Sequence, residues 1–357
     1  MTPKIGIILI NYKTYAKRFL EDCRDSMRKL DYPKDKYVVY IVDNATTPET
    51  EQYLREMYPE AVILPNRENS GWGGGNNVGV EQAFKDGCED VIFSNMDVIV
   101  HPQWLEELVK GAYSDEKIGI AHSKQLLWPI GPDGVQRLNS VGNQIHFLGF
   151  GYAGKNGDPA DTYTNDAVVD VPYAAGASMY VKRAVLDKVG LCNPDFFMYH
   201  DDMEICLKAK FVGFRVVIAP KSIMWHKYEF GRSILQVYYM ERNRLLTMLE
   251  FYKIPTLILF APAFIVMELG LLGASIVGKY AKPKLRGWGY FFKPSSWKKL
   301  LAERRRIQKL RTISDRALMQ DFTGRVLHQE MMNPVLKYFV NPAFNVYWQV
   351  VKRLMFW

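Results

Sequence analysis

The sequence predicts an α/β protein built on a mostly parallel sheet with helices on both faces, followed by a helical, membrane-associating C-terminal region. Three observations carry this expectation. From Lys4 to Ser94, short apolar β-rich runs alternate with stretches of helical periodicity, the pattern of βαβ units. The runs end in polar residues, Asn11, Asp43-Asn44 and Asn95. Beyond Phe251 the alternation gives way to a long apolar stretch and then to a strongly basic tract.

The elements follow in order. Lys4 to Ile10 reads as the first strand, ending in Asn11-Tyr12, with a helical pattern through Phe19, Met27 and Leu30. Tyr37 to Val42 is the next buried strand. Pro48 to Met57 is a helix, and Val62 to Leu64 a short strand. A glycine-rich loop, NRENSGWGGGNN from Asn66 to Asn77, leads into a helix that runs to Asp86. Val91 to Ser94 then delivers Asn95 and Asp97 to a strand end. Ligands of such sheets bind outside the carboxyl ends of the strands, where Asn11, Asp43, Asn95 and Asp97 all fall. Between Leu126 and Thr164 the pattern weakens into an irregular or hairpin-bearing insertion. Periodicity returns at Val168 to Val171, Ala177 to Val181 and Arg183 to Val189. An acid pair, Asp201-Asp202, opens the next helix, which ends near Gly213. A short strand from Val216 to Ala219 follows, then Trp225-His226, and a long helical segment spans Ile234 to Phe251.

Composition bounds the function. The 357 residues are 48% hydrophobic and 13% aromatic, enough for a large core and against disorder. The net charge of +8 is concentrated between Lys279 and Arg311, where Glu303 is the one acid. A basic tract beside an apolar stretch reads as an anchor to an anionic membrane surface, and with no basic stripe elsewhere no nucleic-acid partner is expected. The four cysteines, Cys23, Cys88, Cys192 and Cys206, form no C-x-x-C pair, which fits reduced thiols and a cytoplasmic setting. The run Ile5 to Ile10 is too short for a signal peptide. Ile254 to Gly278, apolar apart from Glu268, would span a bilayer once and not twice at about 20 residues per span. A single span would put the basic tail opposite the N-terminal part, against the positive-inside tendency. A broken, re-entrant or in-plane hairpin is therefore expected, with a buried helix pair as the alternative.

Several residues carry candidate chemistry, each with a plainer reading beside it. Asp43, after a strand and before a helix, can accept from a nucleobase N–H or serve as helix-entry capping chemistry. The Gly71 to Gly75 run lets backbone approach an anion at a helix N-terminus, or is a flexible loop. Asp97 can hold a divalent ion on a diphosphate, or cap a turn. Asp201 and Asp202 supply a general base or cap their helix. Phe196, Phe197, Met198 and Tyr199 form an apolar wall that raises a carboxylate pKa. His226, returning a strand later, completes a possible metal pair with an upstream acid.

Taken together, IGIILINYK, YIVDNATT, NRENSGWGGGNNVG, FSNMDVIVHPQWL, DVPYAAGASMYVKRAVLDKVG and FFMYHDDMEICLKAKFVGFRVVIAPKSIMWH resemble the ordered motifs of family 2 glycosyltransferases with the GT-A fold, over residues 4 to 250. Arg242-Asn243-Arg244 adds a similarity to the rhamnosyl- and galactofuranosyltransferase subgroup. The resemblance implies a catalytic domain over residues 1–250 and a membrane-associating region over 251–357. It implies a nucleotide-sugar donor (dTDP-, UDP- or GDP-linked) and a lipid-linked glycan acceptor at the cytoplasmic face of the cell membrane. Asp43 would meet the base of the donor, with Asn11, Asn44, Gly73, Asn77 and Asn95 as further substrate-binding residues. Gly176 and Ala177 would line the donor–acceptor junction. Asp97 and His226 would hold Mg2+ or Mn2+, and Asp202 would be the catalytic base, with Asp201 beside it. Asn95 stands where the family's D-x-D motif has its first acid. The competing expectation is a non-catalytic sugar-nucleotide-binding or membrane scaffold module, which has no need of Asp97, Asp202 and His226 together.

Overall fold

A computed structural model describes residues 2–229, 237–327 and 334–357. Twelve strands are described: β1 (Ile5–Tyr12), β2 (Tyr37–Asn44), β3 (Val62–Asn66), β4 (Asp90–Ser94), β5 (Val98–Val100), β6 (Ile118–Leu127), β7 (Leu138–Ser140), β8 (Asn143–Ile145), β9 (Gly151–Ala153), β10 (Val169–Asp170), β11 (Ser178–Lys182) and β12 (Arg215–His226). Ten of them form one sheet, whose main path is β10-β12-β6-β11-β4-β1-β2-β3. β3, β2, β1 and β4 are parallel neighbours, as expected. Beyond β4 the sheet is mixed: β12 pairs β6 in parallel, and antiparallel pairings join these two to the rest. β11 runs antiparallel to both β4 and β6, because the chain returns from the insertion to fill the gap between them. From β1 the chain winds out to β3 and comes back to β4 on the other side, so a crevice opens at the carboxyl ends of β1 and β4.

The N-terminal strands are buried on both faces. Ile5, Ile7 and Leu9 join one core cluster and Ile8 the other; Val39 and Ile41 oppose Tyr40 and Val42 in the same way. Period-two alternation between two covered faces is why these strands read as unbroken apolar runs. Helices α1 (Tyr15–Met27) and α4 (Trp104–Ala112) bury their apolar stripes on one side. Helices α3 (Gly71–Lys85), α5 (Arg183–Val189) and α6 (Asp201–Phe211) pack on the other. Helix α2 (Pro48–Met57) begins with a capping box between Thr47 and Thr50 and Pro at its first turn, the chemistry that stops β2 from running on.

The expected glycine-rich loop is instead the first turns of α3, which starts at Gly71. The glycines serve close packing. A Cβ on Gly75 would lie 2.9 Å from Ile10 Cδ1, and one on Gly79 would lie 2.5 Å from Ile8 Cγ2. The strand expected over Val216–Ala219 extends to His226, with a register shift between Ala219 and Ile223 where Pro220 interrupts the ladder.

The C-terminal region is helical: α7 (Val237–Phe251), α8 (Ile254–Val277), α9 (Ala281–Tyr290), α10 (Pro294–Leu310), α11 (Asp315–Leu318) and α12 (Asn341–Leu354). Residues 234–236 of the expected long helix lie outside the described residues. The apolar stretch is one continuous helix, α8, with Pro262 inside it, and not the broken hairpin expected. It is long and apolar enough to cross a membrane, and 22% of its most apolar window is buried within the molecule. One core cluster runs from Ile8 through Phe260 to Trp348, so these helices share a core with the sheet. Phe147 of the insertion stacks on Trp348 at 5.4 Å.

Glu268, the acid within α8, is buried and compensated. It pairs with Arg244, with Lys284 at 3.1 Å and with the Trp288 indole at 3.0 Å; Lys284 also meets Glu241 at 2.8 Å. Two acids and two bases leave no net charge in this cluster. Glu268→Ala leaves Glu241 alone to compensate Arg244 and Lys284, one buried cation in excess, and the expected destabilisation is about 3–5 kcal/mol. A thermal or denaturant melt reads this directly; a melt unchanged from wild type would contradict the pairing.

Candidate active site

At the carboxyl ends of β1 and β4 lies a cleft of about 620 Å³, lined among others by Tyr12, Asn44, Trp72, Asn95, Asp97, Gly176, Asp202 and His226. Pairing of β5 with β12 sets His226 opposite Val98. That register brings His226 Nε2 to 3.2 Å from Asp97 Oδ1. Both side chains are almost fully buried. His226 Nδ1 lies 2.9 Å from Asn139 Oδ1, and a carbonyl oxygen only accepts, so Nδ1 carries the proton. Nε2 then presents its lone pair beside the Asp97 carboxylate, two groups that a divalent cation can join. One carboxylate and one oriented imidazole suit Mg2+ or Mn2+ whose other ligands come from phosphates and water. No cluster of three His, Cys, Asp or Glu that could hold a metal occurs among the described residues. The residues present therefore fit a substrate-completed cation site rather than a closed one.

The acid pair sits across the cleft at the start of α6. Both acids line the cleft; Asp202 is half-buried, whereas Asp201 is buried. Asp202 Oδ2 accepts from the Gly176 N–H at 3.1 Å and Oδ1 from the Met203 N–H at 2.8 Å. Burial pushes the Asp202 carboxyl up to about 6, against those N–H groups, which hold it down. Burial and the neighbouring Asp202 charge push Asp201 further, to about 8. Near pH 7 the pair is thus split, with Asp202 ionised and Asp201 protonated. That is the separation of roles that base catalysis needs.

What precedes the pair is strained. Phe197, Tyr199 and His200 all have φ between 65° and 66° without being glycine, a conformation that costs roughly 1–2 kcal/mol each. Two residues of α7 hold this strap. Asn243 Nδ2 donates to the carbonyls of Phe196, Met198 and Tyr199 at 2.8–2.9 Å. Arg242 donates to those of Asp195 and Phe196 at 2.5 and 2.9 Å, and its guanidinium lies over Tyr238, Tyr239 and Tyr290. From the other side the Trp72 N–H donates to Phe197 O at 2.7 Å.

Other expected residues sit one layer back. Asp43 is fully buried; it accepts from Asn11 Nδ2 at 2.6 Å, from Thr50 at 2.6 Å and from Thr46. Asn11 and Asp43 are not among the cleft-lining residues, whereas Tyr12, Tyr15 and Asn44 are. Asn77 exchanges two hydrogen bonds with the backbone of Cys192, and a Cβ on Gly73 would lie 3.6 Å from Asp201 Cβ. Ala177 lines the cleft and accepts from the Ser94 hydroxyl and the Asn95 N–H. Gly176 packs on Trp72, whose ring a Cβ would meet at 2.5 Å. Asn139, Tyr173, His200 and the strap-holding pair were not legible in the sequence. The one signal for the last was an Arg-Asn-Arg run within a helix, which in the structure is fully buried.

The comparisons agree with this architecture. A family model described as glycosyl transferase family 2 matches residues 5–125. Low-salt glycan biosynthesis hexosyltransferase Agl10 of Haloferax volcanii is 23% identical over 211 residues, 59% of this chain and 62% of that protein. Glycosyltransferase AglE of the same organism is 24% identical over 264 residues, 67% of this chain and 76% of that one. The chain thus spans less than two thirds of Agl10. Among solved structures, GalNAc-T7 with UDP, GalNAc and Mn2+ aligns with a TM-score of 0.52 at 14% identity, covering 71% of this chain and 49% of that one. At that identity the likeness is one of fold, and the fold is GT-A-like.

Proposed function

We propose, starting from the family 2 glycosyltransferase of the GT-A fold that the family match and the relatives support, that this chain is an inverting transferase. It moves a hexosyl group, rhamnose, galactofuranose or similar, from a dTDP-, UDP- or GDP-linked donor to a hydroxyl of a lipid-linked glycan. The work is done at the cytoplasmic face of the cell membrane, in cell-envelope polysaccharide synthesis. The observation that carries the reading is the cleft itself, which holds a half-buried Asp202 ionising near 6 together with the Asp97–His226 pair. The hexosyltransferase name of Agl10 and the UDP and Mn2+ bound by GalNAc-T7 support a nucleotide-sugar donor and a divalent ion. The exposed face of α8 supports a membrane location.

The geometry supports the following mechanism. An acceptor hydroxyl beside Asp202 loses its proton to that carboxylate as its oxygen attacks the anomeric carbon. The nucleoside diphosphate leaves from the opposite face, so configuration inverts in one in-line displacement. The Gly176 N–H fixes Asp202 Oδ2, and Trp72 closes the wall beside it. Asp97 and His226 would hold Mg2+ or Mn2+, which when bound neutralises charge developing on the diphosphate. Tyr12, Tyr15 and Asn44, which line the cleft, would meet the base together with Asp43, which lies buried behind them.

A thermal-shift screen of nucleotide sugars with and without Mn2+ tests the donor side. One nucleotide sugar should stabilise the protein in a metal-dependent way, and Asp97→Ala should remove the metal-dependent part. An equal metal-dependent shift in Asp97→Ala would overturn the assigned cation site.

A further inference from the structure

A second cavity, of about 550 Å³, lies among α7, α8, α9 and α10, with walls that include Leu249, Ala261, Phe264, Trp288, Phe292 and Trp297. Glu268 is the one charged side chain among its described lining residues, and it is committed to Arg244, Lys284 and the Trp288 indole. Nothing else in the groove offers a polar ligand a partner, and an apolar space of this kind holds water poorly. Its chemistry calls for a hydrocarbon.

Three further observations select which hydrocarbon. The lip of the groove is exposed and apolar: Ile265 and Leu269, both lining residues, are 58% and 65% exposed on α8, and Phe292 is 86% exposed. A chain therefore enters from a non-aqueous phase without crossing polar surface. Exposed Lys293 and Lys298 directly follow the lining residues Phe292 and Trp297, a cationic margin complementary to phosphate. Finally, α7 connects the groove to the active-site cleft. Its Met240 lines the cleft, whereas Leu245, Met248 and Leu249 line the groove. At 1.5 Å per residue those positions lie about 8–13 Å apart along the helix.

We propose that this groove is the binding site for the hydrocarbon chain of the acceptor's lipid-phosphate carrier, an isoprenoid-type chain whose sugar-bearing head then reaches the Asp202 cleft. The proposal rests on the lipid-linked acceptor assigned under Proposed function. It adds a site, a chain chemistry and a reason for α8 to be apolar yet largely uncovered. The surrounding bilayer contacts the outer face of α8, where Val266 is 61% exposed, while the carrier chain occupies the inner, aromatic-walled side.

The test uses the full chain in nanodiscs of phosphatidylcholine and phosphatidylglycerol with a diazirine-bearing geranylgeranyl phosphate as the probe. After irradiation, labels should map to peptides of α7, α9, α10 and the Ala261–Phe264 part of α8. Unlabelled geranylgeranyl phosphate should compete, and added phosphatidylglycerol should not. Ala261→Trp, which fills the groove, should weaken labelling by roughly tenfold, what losing burial of about two methylene groups gives. Vesicle co-sedimentation and the donor-induced thermal shift should stay at wild-type levels. Leu249→Trp provides a second filling variant should the first not fold. Labelling confined to Val266 and its outer-face neighbours, or equal competition by phosphatidylglycerol, would overturn the groove as a carrier site and leave it bulk lipid surface. Absence of a donor response in wild-type protein would strike the transferase reading instead, and groove labelling with no donor response separates the two failures.

Discussion

Asp202→Asn loses glycosyl transfer by about 10²–10⁴-fold, the usual worth of a positioned general base, while donor binding stays near wild type. The amide keeps the shape of the side chain and can still accept from the Gly176 N–H, so the cleft is preserved and only proton acceptance is lost. The pH dependence identifies which acid acts. With wild-type protein, kcat/KM should rise through an apparent pKa of about 6, the value of Asp202, and not about 8, the value of Asp201. Asp201 is still protonated while Asp202 ionises, so Asp201→Asn should leave that limb in place. Both native values lie above the ordinary carboxylate value of about 3.9. The stabilising contribution of the two protonated acids is therefore fully present below that value and is lost as pH rises to about 8. Asp201→Asn should accordingly raise the melting temperature more at pH 9 than at pH 5. An activity limb near 8 that disappears in Asp201→Asn would transfer the base role to that residue.

Asn243→Ala has the second-largest effect, on turnover rather than on donor binding. Its amide donates to three carbonyls of the strap that ends at the acid pair, and that strap contains three left-handed non-glycine residues. Without those donors the strap relaxes towards ordinary dihedrals and Asp202 shifts with it. A displacement of about 1 Å in a reacting group costs on the order of 10²-fold, so kcat should fall by that order while KM for the donor is little changed. Asn243→Gln, with the same amide one methylene further out, should recover part of the activity. A uniform loss of protein on expression, with normal kcat in what survives, would mean that Asn243 acts on folding alone. Asn243 is thus a positioning residue, acting through backbone it holds.

The N-terminal half was legible because its physics is local. Unbroken apolar runs between helical patterns mark strands buried on both faces, and β1, β2, β3 and β4 lie where those runs do. The position of Asp202 at the start of α6 also follows from sequence, since acids gather at helix N-termini. The errors share a cause. Gly71 to Gly75 looked like a flexible loop because propensity disfavours glycine in helices, yet close packing on Ile10, Cys192 and Asp201 outweighs propensity there. The hydrogen bonds that hold Asp43 were also out of reach, because Asn11, Thr46 and Thr50 converge on it only once β1 and α2 are in place. The antiparallel insertion of β11, and the meeting of Asn139 with His226 across 87 residues, depend on contacts between distant parts of the chain that no periodicity encodes.

The measurement that bears most directly on the central claim is nucleoside-diphosphate release from a panel of dTDP-, UDP- and GDP-sugars. It would use full-length wild-type and Asp202→Asn proteins with Mn2+ and a membrane lipid extract as the source of acceptor. The structure predicts that wild type consumes one donor in an extract-dependent manner, and that Asp202→Asn binds that donor but does not consume it. Consumption of the donor at equal rates by both proteins would contradict the assignment of this cleft as a glycosyl-transfer site based on Asp202.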